Sequence, residues 1–203
     1  MANVLDGYAA DAEELIPKFE ALHSKEVLAP VLSLLPARPS RMLEVGAGTG
    51  RDAAWLVERG HDVVAVEPVD ALRQAGMRLH PSPKIVWIKD ALPALAEVLS
   101  RGETYDLILS VAAWQHLPPE HHKQAVVNLA VLLAAGGRMI LSLRHGPGAP
   151  TRPCFPVDPD EIVRAGEGAG LRLSLRCEAE SVQQKNREAG VTWTWLCFER
   201  QGN

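Results

Sequence analysis

Cysteine is scarce in this chain. Three stand in 203 residues, Cys154, Cys177 and Cys197, and no two share a C-x-x-C spacing. That excludes a disulfide framework and a zinc knuckle and fits a reducing compartment. An excess of positive charge is also missing. Lys plus Arg number 21 against 25 Asp plus Glu, for a net charge of −4. Domains that grip phosphate backbones carry the opposite balance, so nucleic acid is an unpromising partner, and the charge reads as an aid to solubility. No apolar run approaches the roughly 18 residues that would cross a bilayer. The opening residues Met1 to Asp6 lack a basic segment followed by an apolar one, so no secretory signal is expected. These absences predict a soluble, cytoplasmic protein. No period of roughly 20–50 residues repeats, which excludes solenoids and propellers.

What is present is enough apolar sequence for one ordinary domain. Hydrophobic residues make up 47% and charged residues 23%, which argues against disorder. Residues 11–35 read as helical, with Leu15, Phe19, Leu22, Val27, Val31 and Leu35 on one face and Pro17 and Pro30 as dividers. The linker Pro36 to Pro39 then separates an N-terminal helical cap, 1–38, from a core, 39–203. In the core, short strand-like runs at 41–45, 62–66, 84–88, 105–110 and 138–143 alternate with helical stretches ending near Arg59 and spanning about 69–79, 91–100, 119–134 and 158–168. The last two strands, 171–177 and 191–198, are joined by a polar loop with no helix, and are expected to pair antiparallel at an edge. The alternation predicts an α/β sandwich around a mostly parallel sheet.

Open parallel sheets bind ligands outside the carboxyl ends of their strands. That rule selects Glu44–Gly50, Glu67, Asp90, Ser110–His116, Arg144–His145 and the 178–190 loop. Glu44-Val45-Gly46-Ala47-Gly48-Thr49-Gly50 joins a strand to a helix. Glycines there permit a tight reversal and let a ligand approach bare backbone, and the helix start suits an anion. The dinucleotide fingerprint is G-x-G-x-x-G. Here the third glycine comes one residue early and Arg51 stands where that pattern wants glycine. Glu67 ends the second strand, and its two acceptor oxygens match the two hydroxyls of a ribose.

With these motifs, the sequence resembles the class I, Rossmann-like, S-adenosylmethionine-dependent methyltransferases over about residues 40–200. The resemblance implies a seven-stranded sheet in the order 3-2-1-4-5-7-6, strand 7 antiparallel, with helices on both faces and an N-terminal helical cap. It implies S-adenosylmethionine as cofactor, with S-adenosylhomocysteine as product and no metal. Glu44, Gly46, Ala47, Gly48 and Gly50 would hold the methionine end. Glu67, followed by Pro68, would take the ribose. Asp90 would accept from the adenine amine, with the Ala91 N–H facing the ring, and the Ser110 carbonyl would meet the ammonium. Asp90 also reads as a cap for a helix starting at Ala91. Arg51 either reaches the cofactor carboxylate or pairs with Asp52.

Methyl transfer from a sulfonium is an in-line displacement, so the protein mainly aligns the reactants, a service worth roughly 7–11 kcal/mol in favourable cases. A base matters only when the nucleophile arrives protonated. His116 is the candidate base, and Trp114 a candidate wall for the substrate. Arg144 and His145 directly follow the fifth strand. The Arg144 guanidinium suits a carboxylate or phosphate through two parallel bonds, with Arg152 able to reinforce it. Arg187 in the polar loop is a further substrate candidate, and Tyr8 and His23 are candidate lid residues. Trp193 and Trp195 alternate on the last strand and are assigned to core packing. His121 and His122 are neighbours on a helix and point apart, so no metal pair is expected.

The segment Ser110-Val111-Ala112-Ala113 lacks the Asn/Asp-Pro-Pro-aromatic motif of enzymes that methylate base amines. Pro153-Cys154 has the order found in cytosine C5 enzymes, but in a short chain without a target-recognition domain. A small-molecule acceptor is therefore favoured, with the protein a monomer or homodimer. The competing readings are a nicotinamide-dependent reductase and a non-catalytic S-adenosylmethionine-binding protein.

Overall fold

The computed structural model describes residues 2–202. Seven strands form one sheet: β1 (Arg41–Val45), β2 (Asp62–Val66), β3 (Ile85–Ile88), β4 (Tyr105–Ser110), β5 (Leu133–His145), β6 (Leu171–Glu180) and β7 (Thr192–Arg200). Their order is β3-β2-β1-β4-β5-β7-β6. The first five run parallel, and β7 runs antiparallel to both β5 and β6. The expected sheet and its antiparallel edge are therefore both observed.

Side chains alternate between the faces of a strand, and this chain fills both sides with apolar residues. Leu43, Val64 and Ile108 pack with Ala125, Val126, Leu129 and Ile162 on one side, while Met42, Leu107 and Leu109 pack with Leu28, Val31, Ala53 and Leu56 on the other. Of these partners, Ala53 and Leu56 come from α4 (Arg51–Glu58), Ala125, Val126 and Leu129 from α7 (His122–Val131), Ile162 from α8 (Pro159–Gly168), and Leu28 and Val31 from the N-terminal segment before β1. Two-sided burial is why β1, β2 and β4 read as nearly continuous apolar runs.

Several element boundaries differ from the sequence reading. The cap is not one helix divided at Pro17 and Pro30. It consists of α1 (Ala2–Ala10), α2 (Ala12–Glu20), the single turn α3 (Ser24–Val27) and a 3-10 segment, Ala29–Leu34. Pro17 lies inside α2, and the first break falls at Asp11. These helices pack on α5 (Asp70–Leu79), where Leu5, Tyr8, Ile16 and Phe19 meet Val69 and Leu72. The helix expected over 91–100 shrinks to α6 (Ala96–Ser100). Pro93 has no N–H to give a helix, and Leu95 takes a left-handed φ of 46°. The helix expected over 119–134 is α7 preceded by a 3-10 turn, Pro119–His121, because β5 starts early, at Leu133. The polar loop after β6 carries a short helix, α9 (Gln184–Glu188). No helix among the described residues is long and apolar enough to cross a membrane.

Candidate functional site

A cavity of about 530 Å³ opens at the carboxyl ends of β1, β2, β4 and β5, beneath α1 and α2. Its floor begins with the turn from β1 into α4. Gly46, Gly48 and Gly50 take φ values of 79°, 59° and 74°, a region open to glycine at little cost. A Cβ on Gly46 would lie 2.9 Å from the Cβ of Ala113, and one on Gly50 would lie 2.5 Å from the Trp87 ring. The turn is thus pressed against its surroundings on one side and leaves bare backbone on the other. Gly50 packs on Trp87 and does not itself line the cavity, whereas Gly46, Ala47 and Gly48 do.

Glu67 ties this turn to the next one. Its Oε2 accepts from the Gly48 N–H at 2.7 Å and its Oε1 from the Val69 N–H at 2.8 Å. Burial pushes its carboxyl up to about 7, against those two N–H bonds and the Arg73 guanidinium. Each oxygen keeps a lone pair for a further donor, and Pro68 lines the cavity beside it. Glu44 is buried at the back of the same turn, and its Oε2 has no hydrogen-bond partner. Burial, with Asp52 beside it, holds that carboxyl well above the ordinary carboxylate range.

Arg51 pairs with Asp52 rather than standing free. Its Nε and Nη2 meet the two Asp52 oxygens at 2.8 and 2.7 Å, and Nη1 reaches the Phe19 carbonyl at 3.1 Å. Asp90 lines the cavity with Ala91, yet its carboxylate also accepts from the N–H groups of Ala91, Glu97 and Val98. It caps a helix as expected, but that helix is α6, one turn later than the sequence suggested. Ser110 is fully buried behind the cavity and contributes no part of its surface.

At the far end of the cavity, Tyr8 of α1 meets His116. The His116 Nδ1 lies 3.1 Å from the Pro153 carbonyl, which can only accept. That fixes the proton on Nδ1 and leaves Nε2 as the acceptor for the Tyr8 hydroxyl at 2.8 Å and the Gln115 amide at 3.2 Å. Burial lowers the His116 pKa, so the neutral ring is favoured. Arg144 lines the same end, and Arg152 sits above the Tyr8 ring, 5.2 Å from its centre, while pairing with Asp11.

Four other expected site residues lie elsewhere. Trp114 is fully buried in the core and walls nothing; the 3-10 turn Trp114–His116 turns Gln115 and His116 to the cavity instead. His145 follows Arg144 on a strand and so faces the opposite side of the sheet, where its Nε2 lies 2.7 Å from the Thr194 hydroxyl. Arg187 binds the carbonyls of Ser181 and Val182 and does not reach the cavity, although Gln183 and Asn186 of the same segment do. His23 precedes α3 and is likewise outside it. Gln115 lies in the selected stretch Ser110–His116, whereas sequence reasoning missed Ser142 and Phe19 as lining residues. It also assigned Trp193 and Trp195 wholly to the core, where they pack but also line the cavity. The signal for Ser142 was available, since it lies two residues before Arg144 on one strand.

Comparison with known proteins agrees with this architecture. A family model described as a methyltransferase domain matches residues 19–202. An uncharacterized methyltransferase of Mycobacterium tuberculosis is 34% identical over 113 residues, which is 52% of this chain and 40% of that protein. Glycine N-methyltransferase of Mus musculus is 29% identical over 155 residues, 69% of this chain and 53% of the enzyme. The chain thus matches only about half, or less, of the length of these curated relatives. Among solved structures, the 1,6-didemethyltoxoflavin-N1-methyltransferase of Burkholderia thailandensis, bound to 1,6-didemethyltoxoflavin and S-adenosylhomocysteine, superposes with a TM-score of 0.74 at 19% identity, covering 98% of this chain and 88% of that one. Magnesium protoporphyrin IX methyltransferase of Synechocystis, with bound S-adenosylmethionine, gives a TM-score of 0.67 at 17% identity, covering 88% and 78%. With the family model spanning most of its length and the sheet order of that fold, this chain belongs to the class I S-adenosylmethionine-dependent methyltransferase family.

Proposed function

We propose that the protein is an S-adenosylmethionine-dependent methyltransferase acting on a small-molecule acceptor. The observation that carries this reading is one cavity with two chemically distinct ends. At one end the glycine turn and Glu67 are joined by the Gly48 N–H bond, and at the other His116 is held by Tyr8 and Pro153.

The residues fit the cofactor. Glu44 keeps a buried oxygen without a partner, ready for a donor such as an ammonium or a bridging water. The turn at Gly46–Gly48 offers backbone that a Cβ would obstruct, and Glu67 has acceptor capacity for two hydroxyls. Asp90, Ala91 and Pro68 line the remainder of that end, where an adenine would lie. Bound there, S-adenosylmethionine supplies an activated methyl group on a sulfonium.

The rest is done by the chain. Tyr8, Leu5, Phe19 and Leu22 line the cavity from the cap side. The Pro153 carbonyl keeps the proton on Nδ1 of His116, and burial keeps the ring neutral. Its Nε2 is then the proton acceptor for an acceptor molecule that arrives protonated, in the place the Tyr8 hydroxyl now occupies. The size of the cavity, about 530 Å³, supports a small acceptor, as do relatives named for glycine and 1,6-didemethyltoxoflavin.

Calorimetric titration with S-adenosylhomocysteine tests the reading. The wild type is expected to bind it saturably, and Glu67→Gln to weaken that binding by about tenfold or more, one lost charged hydrogen-bond acceptor. An intact wild-type protein that binds none at millimolar concentration would overturn it.

A further inference from the structure

We infer that the acceptor is a small organic acid with an apolar body, its carboxylate seated on Arg144 and its body against Trp193 and Trp195. The inference rests on the methyltransferase reading of the same cavity and names its substrate class.

The antiparallel register places Ser142 opposite Trp195, Arg144 opposite Trp193, and Ala179 of β6 opposite Trp193. Alternation along each strand puts these five side chains on one face, and all five residues line the cavity. The edge of the sheet is therefore a tray, with two indoles and one guanidinium across neighbouring strands. Indoles supply large apolar contact at low conformational cost.

Arg144 is the uncompensated charge on that tray. Only its Nη1 has partners, the Gly146 carbonyl at 3.2 Å and the Cys154 sulfur at 3.8 Å. Nε and Nη2 have none among the described residues. The other arginines nearby are already paired, Arg51 with Asp52 and Arg152 with Asp11. Three titratable groups that face Arg144, namely Tyr8, Cys154 and His116, are neutral at pH 7. Burial raises the Tyr8 hydroxyl and the Cys154 thiol, and lowers His116. A half-buried cation with no carboxylate in ion-pair reach among the described residues and an unused donor pair fits an anion that brings two coplanar oxygens. One guanidinium balances one carboxylate. A phosphate monoester, at nearly two negative charges, would leave one unmatched.

The test uses protein saturated with S-adenosylhomocysteine and three probes, titrated by calorimetry: benzoate, benzamide and acetate. Benzoate is expected to bind tighter than benzamide, which lacks the charge, and tighter than acetate, which lacks the body. Arg144→Gln should weaken benzoate by about tenfold or more and leave benzamide where it was. Arg144→Lys, which keeps the charge and loses the fork, should weaken it less. Benzoate binding that is absent from the wild type, unchanged in Arg144→Gln, or matched by benzamide overturns the proposal. The two readings fail differently. Protein that binds S-adenosylhomocysteine but ignores benzoate loses only the organic acid, whereas protein that never binds S-adenosylhomocysteine loses both.

Discussion

The hydroxyl of Tyr8 lies 2.8 Å from Nε2 of His116, and the hydroxyl is the donor. Burial pushes the Tyr8 pKa up to about 12, so the oxygen keeps its proton, while the imidazole proton is held on Nδ1 by Pro153. One bond thus joins the first helix to the turn after β4 and covers the nitrogen assigned as proton acceptor. Tyr8→Phe removes the donor. The lost bond is worth about 1 kcal/mol net, a fall of about 2–4 °C in Tm for a chain of this size. A bond to the neutral ring disfavours its protonation, so the His116 pKa should rise in the variant. Proton NMR of the ring carbons against pH reads this directly, and an unmoved or lower value would contradict the assigned tautomer.

Glu67 should make stability depend on pH in a defined direction. Burial raises its carboxyl from 4.5 to about 7 in the folded protein. The folded state therefore holds this proton more tightly than the unfolded chain. The resulting stability is complete below pH 4.5 and is lost as pH rises through about 7. His116 acts in the opposite sense, because burial lowers its pKa and its contribution is lost as pH falls. The two are separated by substitution. The Tm of the wild type minus that of Glu67→Gln should shrink as pH rises from about 5 to 8. A difference constant across that range would show that Glu67 ionises normally.

The glycines of the turn should respond unequally to alanine. Both Gly48 and Gly50 have positive φ, so a side chain at either costs about 1–2 kcal/mol in backbone strain. At Gly48 the nearest atom to a new Cβ is a Phe19 ring carbon at 3.7 Å, which is ordinary contact. At Gly50 the Cβ would enter the Trp87 ring at 2.5 Å, and overpacking adds about 1–3 kcal/mol. Thermal unfolding should therefore show a larger loss for Gly50→Ala. Gly48→Ala should fold and lose affinity for S-adenosylhomocysteine. Equal losses of Tm would mean that Trp87 moves aside.

The sheet and the glycine turn at one end of the cavity were legible because they rest on local rules. The glycine spacing follows β1 directly, Glu44 and Glu67 each stand at the end of a strand, and each apolar run is a few residues long. The end of the cavity around Tyr8 and His116 was less legible because it is assembled across long separations. The partner of Tyr8 lies 108 residues away. Alternation on β5 should have separated Arg144 from His145, since consecutive residues cannot share a face. Trp114 and Arg187 depended on turn geometry, a 3-10 turn and a five-residue helix, that leaves little trace in apolar periodicity. Trp193 was read as core because alternation names a face and not what covers it. Here that face is partly open, because the strand sits beside the cavity.

The contact between Asp11 and the loop after β5 should govern how often the cap opens. Asp11 lies at the break between α1 and α2, accepts from Thr151 Oγ1 at 2.7 Å and pairs with the Arg152 guanidinium. Arg152 in turn lies over the Tyr8 ring. These contacts join the Tyr8–His116 bond, the Arg51 bond to the Phe19 carbonyl and a small apolar cluster with α5 in holding two short helices, and short helices have little stability of their own. Asp11→Ala removes the ion pair and the hydroxyl bond together and leaves the sheet untouched. Amide hydrogen exchange is expected to accelerate across α1 and α2 and to stay slow in β1 and β4, because local opening and global unfolding draw on different contacts. Binding of S-adenosylhomocysteine should weaken in the same variant, since a cap that opens more often must be closed at the ligand's expense. Exchange that accelerates equally in the strands would mean that the cap and the sheet unfold as one unit.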